Sequence, residues 1–232
     1  MIHHHQDLPS TMDEAHRLAA AGAAHGDAVT SRRQGAGRGR HGKQWSSGDG
    51  GLWVSVIGRP DPAQQLEPLS LRVGIAVAHT LESALPSIGT IGLKWPNDLL
   101  VYGRKVGGVL TEARWIGGQC RWVVTGVGIN VRNAIPNRLY GIAIALSEVD
   151  PGMLPEHLLE PVVAAVAGAL AGGELDREEL HAWRDRDVLA GRRIETPVQG
   201  TVEGIDPMGG LLVRDPDGEL HRASTGLVAL TD

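Results

Sequence analysis

Gly37-Arg38-Gly39-Arg40-His41-Gly42-Lys43 packs three glycines and four basic or protonatable side chains into seven residues. Glycines let a backbone fold tightly and point its N–H groups at an anion, and cations beside them suit a phosphate. The spacing fits two nucleotide-binding patterns and satisfies neither. Read as G-x-x-x-x-G-K, it lacks the Ser or Thr that holds Mg²⁺ in a P-loop, because Gln44 follows Lys43. Read as G-x-G-x-x-G, it resembles a dinucleotide fingerprint. Both patterns need a helix to begin at the glycines, so that its N-terminus faces the phosphate. Here Trp45-Ser46-Ser47-Gly48-Asp49-Gly50-Gly51 continues as loop composition. The stretch reads as an anion clamp of another kind.

The chain has 232 residues, enough for one full domain and a small appendage. Hydrophobic residues make up 42%, yet Phe is absent and only two Tyr occur, so aliphatic side chains and six Trp must build the core. A net charge of −5 argues against a general polyanion binder and leaves room for a local basic patch. With Cys120 alone, no internal disulfide can form, which fits a reducing compartment. No stretch approaches the ~20 apolar residues of a membrane span, and the first residues do not read as a secretory leader. The expectation is a cytoplasmic protein with no membrane partner. His3-His4-His5 does not read as a metal site, since adjacent residues of a strand point to opposite faces.

Upstream of the loop, residues 1–9 read as a strand. Ser10-Thr11 precedes an apolar stripe of Met12, Ala15, Leu18 and Ala19, and Thr11 and Glu14 have capping-box spacing. Residues 28–31 and 52–57 read as strands on either side of the loop. Residues 66–85 carry Leu69, Val73, Val77, Leu81 and Leu85 at helical spacing. Strands follow at 91–95 and 99–101, then at 105–115 and 119–131 around the hairpin signal Gly117-Gly118. Residues 132–151 read as irregular, and helices are predicted at about 156–171 and 176–190. From Arg192 to Leu230, short β segments between Gly/Pro/Asp turns predict a small antiparallel barrel or sandwich.

Five segments now stand together: Ser10-Thr11, the loop from Gln34 to Trp45, Lys94-Trp95-Pro96-Asn97-Asp98, Lys105-Val106-Gly107-Gly108-Val109-Leu110-Thr111-Glu112, and Gly126-Val127-Gly128-Ile129-Asn130-Val131. In this order they resemble the bacterial biotin protein ligases, whose signatures are a GRGRxGR loop, KWPND, K-(L/V)-x-G-(I/V)-L-x-E and G-x-G-I-N. The resemblance covers about residues 8–131 strongly and the C-terminal segment more loosely. It implies an α+β fold: a mixed or antiparallel sheet flanked by helices, the class II synthetase-like biotin/lipoate ligase fold, with a small C-terminal SH3-like β barrel. The expected boundaries are 1–189 for the catalytic domain and 190–232 for the barrel. Only nine residues precede Ser10, which resembles the short ligases without a DNA-binding module, so no DNA partner is expected.

The implied reaction has two steps. The biotin carboxylate attacks the α-phosphorus of Mg·ATP to give biotinyl-5′-adenylate and pyrophosphate. A lysine of a biotin carboxyl carrier protein then takes the acyl group. Both partners of the first step are anions, so the protein must cancel charge and hold them in line. Lys105, fixed on a strand, and Arg40 are the expected catalytic cations. By resemblance Ser10, Thr11, Gln34, Gly37, Arg38, Gly107 and Gly108 lie on the biotin side, the last two leaving room for the rings. Arg38, Arg40, Lys43, Lys94, Trp45 and Asn130 lie on the ATP side, with Trp45 as a stacking surface for adenine. Asp98 is the candidate Mg²⁺ ligand. The family often pairs its sheets edge to edge, which admits a homodimer.

Simpler roles stand beside these. Ser10 and Thr11 suit a helix cap, Lys94 a surface ion pair, and Asn130 a strand-end bridge. Three positions depart from the family pattern: Met12 where Asn is common, Lys43 where Arg is usual, and Gly51 where Asn is usual. Two other functions compete: attachment of lipoate or octanoate on a related fold, and nucleotide or RNA binding without catalysis.

Overall fold

The computed structural model describes residues 1–61, 66–170 and 172–231. The chain opens with β1 (Ile2–Leu8), α1 (Thr11–Ala20) and β2 (Ala28–Gln34). β1 and β2 run parallel, with Ile2 opposite Ala28 and Leu8 opposite Gln34, so α1 is the crossover that such a pair needs. The expected Thr11–Glu14 capping box does not form. Ser10 is the cap, its backbone extended and its Oγ accepting from Met12 N at 3.3 Å. Thr11 is already helical and its hydroxyl is engaged by Gln34 and Ser55. Glu14 pairs instead with Arg17 at 2.7 Å, one turn along.

Beyond the glycine loop come β3 (Leu52–Gly58), α2 (Leu69–Ala84), β4 (Gly92–Lys94), β5 (Asp98–Val101), β6 (Arg104–Ile116) and β7 (Gln119–Ile129). α2 starts behind Pro68 and stops ahead of Leu85-Pro86, since a residue before proline is steered out of the helical region. β6 and β7 form the expected hairpin, closed by Gly117 and Gly118 at φ of 60° and 76°. Strand order in the large sheet is β1-β2-β3-β7-β6-β5-β4. All neighbours after the first pair are antiparallel. β3 lies between β2 and β7 and is buried at every residue, which explains why its sequence runs apolar without alternation.

The sheet has two unlike faces. α1 covers one with a small cluster in which Met12, Ala15 and Ala19 meet Val29, Ile57 and Val124. α2 and α3 (Pro155–Ala169) cover the other over the main core. The last residue of the helix expected at 156–171 lies outside the described residues. α4 (Arg177–Arg184) is shorter than the 176–190 read from the sequence. Leu93 N donates to Arg186 O at 2.7 Å and Val188 N to Leu93 O at 3.1 Å, and these bonds lay 186–188 along β4 as extended chain.

β8 (Arg193–Thr196), β9 (Gly200–Ile205), β10 (Leu211–Arg214), β11 (Leu220–Ala223) and β12 (Ala229–Leu230) form a second, antiparallel sheet in the order β11-β10-β9-β8-β12. Its Ile194, Val202, Leu211 and Val213 continue the main core. Trp95, in the KWPND segment, donates its indole N–H to Gly209 O at 3.0 Å and so ties the two sheets together. Among the described residues no helix is long and apolar enough to cross a membrane.

Gly209 sits at φ +76°, and a Cβ there would fall 2.8 Å from Leu71 Cδ1 and 3.2 Å from the Pro68 Cα. Gly209→Ala is therefore expected to destabilise by about 2 kcal/mol or more, from the left-handed backbone and from overpacking. The urea midpoint should fall with an unchanged denaturant slope. A midpoint equal to wild type would contradict this account of the seam.

Candidate active site

The glycine loop folds back on itself. Gln34 N donates to Ser47 O at 3.0 Å, Trp45 N to Gly37 O at 2.9 Å, and Gly39 N to Lys43 O at 2.7 Å. Gly37 marks where the limbs touch: a Cβ there would sit 2.4 Å from Ser47 Oγ and 2.7 Å from Trp45 O. The tip is a single 3₁₀ turn at Arg40–Gly42, and among the described residues no α-helix begins between the loop and α2. This removes the P-loop and dinucleotide readings on geometry. Within the glycine run, the N–H groups of Gly39 and Lys43 already serve loop carbonyls.

Beside the loop runs a buried chain of neutral polar groups. Ser55 Oγ meets Thr11 Oγ1 at 2.8 Å. Thr11 donates its N–H at 2.7 Å and its hydroxyl at 3.1 Å to Gln34 Oε1. Gln34 Nε2 donates to Ser47 Oγ at 2.8 Å, and Ser47 donates to Trp45 O at 3.3 Å. Two donors thus converge on the Gln34 carbonyl oxygen, while its amide keeps one further N–H. Ser10 is buried, and its hydroxyl hydrogen has no acceptor among the described residues.

The floor beneath is glycine. Gly108 pairs with Gly128, and Leu110 with Gly126, across β6 and β7. A Cβ at Gly126 would meet Met12 Sδ at 2.6 Å, and one at Gly128 would meet Trp45 Nε1 at 2.7 Å. The helix and the loop therefore rest directly on strand backbone. Gly107 differs from its neighbour: its missing Cβ would strike Gly128 O at 2.8 Å, so it serves close strand packing, whereas Gly108 faces Lys105 Nζ.

Cations flank the floor at both ends, Lys105 at the start of β6 and Arg38 beside Glu112, seven residues further along that strand. Lys105 Nζ forms a 2.5 Å ion pair with Asp98 Oδ1 and lies 5.0 Å from the centre of the Trp45 ring, a cation–π distance. Its backbone is pinned by Lys105 N donating to Ile142 O and Ile144 N donating to Lys105 O, at 2.8 and 3.0 Å. Arg38 donates to Asp13 at 2.6 Å and to Glu112 at 3.5 Å. Burial alone would pull the Arg38 guanidinium down, and these two carboxylates reverse that and hold it above its ordinary value. Arg40 reaches Thr225 Oγ1 of the C-terminal sheet at 3.0 Å. Burial lowers its pKa, with the nearby Asp98 opposing.

A cavity of about 110 Å³ opens beside Lys105, lined by Trp45, Asn130, Ile135, Leu139 and Ile142 among others. Asn130 Oδ1 accepts from Asn133 Nδ2 at 3.1 Å, and its own Nδ2 has no partner among the described residues. Trp45 Nε1 is buried and likewise without a partner. Among the described residues the only trio of side chains close enough to hold a metal is Asp215, Glu219 and His221, in the C-terminal sheet. Asp98 is thus a lone carboxylate occupied by Lys105.

Ser10, Thr11, Gln34, Gly37, Arg38, Trp45, Lys105, Gly108 and Asn130 therefore gather around one face of the β6–β7 hairpin. Lys94 is half-buried at the β4–β5 turn and Lys43 is exposed on the loop, and neither side chain has a hydrogen bond or ion pair among the described residues. Sequence reading missed Ser47, Ser55, Asp13, Thr225 and the wall at 135–143. A serine inside the apolar run of β3 was the available signal for Ser55. Glu112 was visible within a motif without a role.

The family model for the biotin/lipoate A/B protein ligase family matches residues 5–130. The chain belongs to the biotin/lipoate A/B protein ligase family. Over 225 residues it is 30% identical to the biotin–[acetyl-CoA-carboxylase] ligase of Paracoccus denitrificans, covering 90% of this chain and 92% of that protein. It is 40% identical over 166 residues to the bifunctional ligase/repressor BirA of Bacillus subtilis, covering 67% of this chain. The chain spans about half the length of the Bacillus relatives it matches. Among solved structures, the biotin protein ligase of Aquifex aeolicus in complex with biotin and ATP superposes with a TM-score of 0.83 at 26% identity, over 99% of this chain and 98% of that one. The family fold expected from the sequence is thus present, with the large mixed sheet and the second antiparallel sheet in place.

In this ligase fold Gly128 is the seat of Trp45. Gly128→Ala is expected to push the half-exposed indole off the strand and shift its fluorescence to the red. A Trp45→Phe background should abolish the shift. An unchanged spectrum would mean that the ring does not rest on Gly128.

Proposed function

We propose that the chain activates biotin as biotinyl-5′-adenylate at the expense of ATP and transfers it to a lysine of a biotin carboxyl carrier protein. The observation that carries this reading is the change of character along one glycine floor, from buried neutral hydroxyl and amide groups over Gly126 to Trp45 and the cations Lys105 and Arg40, while Arg38 flanks the neutral end beside Asp13 and Glu112. Biotin has the same polarity: a neutral ureido head and an anionic carboxylate. The Ser10 hydroxyl and the remaining Gln34 N–H are donors for the ureido carbonyl, while Gly108, Gly126 and Gly128 leave room for the rings. Family membership and the biotin- and ATP-bound relative support the same reading.

In this reading the nucleotide occupies the cavity of Trp45, Asn130 and the 135–143 wall, with its phosphates toward Arg40, Lys43, Lys94 and Lys105. Mg²⁺ enters with ATP as part of the substrate. A single carboxylate, Asp98, suits a metal carried by phosphates better than a resident ion. The biotin carboxylate attacks the α-phosphorus, and the bond to the bridging oxygen breaks to release pyrophosphate. Lys105 and Arg40 neutralise the charge that gathers on the phosphoryl oxygens. The acceptor amine then attacks the acyl carbon, loses a proton and releases AMP. We read 1–189 as the catalytic unit and 190–232 as an SH3-like cap that supplies Thr225. A cytoplasmic location and a homodimer follow the family resemblance.

Lipoate is the rival substrate, and the buried hydroxyl chain argues against it. An aliphatic tail there would leave the Ser10 hydroxyl hydrogen and the remaining Gln34 N–H unpaired, at about 1–3 kcal/mol each. ATP–pyrophosphate exchange separates the two. Exchange should require biotin and not lipoate, and Lys105→Ala should lower it about a hundredfold or more. Exchange with lipoate alone would reassign the substrate. Exchange with neither would leave a binding module.

A further inference from the structure

Arg38 carries one positive charge and is met by two carboxylates, and the two are not held alike. Glu112 lies on β6, and its Oε2 also accepts from His16 Nε2 at 3.0 Å. His16 Nδ1 in turn accepts from Trp122 Nε1 at 3.0 Å. An indole N–H can only donate, so Nδ1 is the acceptor and the hydrogen of the neutral ring lies on Nε2, aimed at Glu112. The His16 bond and then the Arg38 charge hold the Glu112 carboxyl below its ordinary range. Asp13 has no such support. It stands in the first turn of α1 with a side chain 58% exposed, and Arg38 is its one side-chain partner among the described residues.

We infer that the two acids have opposite roles toward the ligand. Glu112 is a positioning residue that keeps Arg38 aimed into the site whether the site is filled or empty. Asp13 is a place-holder whose carboxylate occupies the guanidinium until a substrate oxyanion displaces it. Two acids against one cation leave the Arg38 cluster itself with one excess negative charge, which opposes an anion arriving at the guanidinium. Release of Asp13 into water removes that repulsion, and its exposure makes the release cheap. Glu112 cannot leave without losing the bond from His16 Nε2, whose ring is held in turn by Trp122. The displacing group is an oxyanion of carboxylate or phosphoryl type, and it reaches Arg38 as part of biotin or of ATP. The inference rests on the function proposed above.

Calorimetric titration of wild type, Asp13→Asn and Glu112→Gln with biotin, biotin methyl ester and ATP tests this. Asp13→Asn should bind one of the two anionic substrates about three- to fivefold more tightly, the range of an exposed ion pair. Glu112→Gln should bind the same one about tenfold more weakly. Tighter biotin with an unchanged methyl ester assigns the displacing group to the carboxylate. Tighter ATP alone assigns it to a phosphoryl group. Asp13 also favours the N-terminus of α1, but a weakened helix would not tighten binding. The inference is overturned if Asp13→Asn tightens neither substrate, or tightens the uncharged ester as much as biotin. A wild type that binds neither biotin nor ATP would overturn the proposed function, and this inference with it.

Discussion

The β6–β7 ladder, bare of side chains where Gly108 meets Gly128 and Gly126 lies across from Leu110, is the constraint on which the rest of the site depends. A side chain at 126 would displace Met12, and one at 128 would displace Trp45. With glycine there, helix α1 and the loop settle directly on the strands. That brings the Ser10 cap, Thr11 and Trp45 to the same floor. It also dictates the two faces of the sheet. The opposite face carries Val109, Val127 and Ile129 into the main core, so rigidity comes from one side of the strands and space from the other.

Gathering cations above such a floor sets a second condition. Arg38, Arg40 and Lys105 are all partly buried, and an unpaired buried charge is costly. The structure answers with carboxylates: Asp98 on Lys105, and Asp13 and Glu112 on Arg38. These pairs keep Lys105 and Arg38 charged without substrate. Each is also exposed enough to be exchanged for a stronger anion. Arg40 is the exception, since its hydrogen-bond partner is the neutral Thr225 from the second sheet and Asp98 acts on it only at longer range. Its contact makes the C-terminal sheet part of the site's surroundings and not a separate appendage.

Much of this was legible in the sequence because it was local. The Gly117-Gly118 turn, the strands on either side of it and the amphipathic α1 follow from short-range rules. The five motifs converge as their order suggested. What could not be read was long-range. Nothing local places β3 between β2 and β7, or turns residues 186–188 from helix to extended chain along Leu93. Thr11 looked like a cap because the spacing to Glu14 fits. Its hydroxyl is claimed by Gln34 and Ser55, partners 23 and 44 residues away. The 132–151 segment has no periodicity because it lines a cavity. Its order comes from backbone bonds to Lys105, Asn130 and Val131.

In the proposed reaction, neutral groups and cations on the glycine floor hold biotin so that its carboxylate oxygen attacks the α-phosphorus of ATP. Biotin labelled with ¹⁸O in both carboxylate oxygens, turned over with Mg·ATP and a biotin carboxyl carrier domain, reports on that step directly. The account predicts AMP carrying one ¹⁸O atom, with unlabelled pyrophosphate. Label in inorganic phosphate beside ADP, or AMP without label, would contradict it.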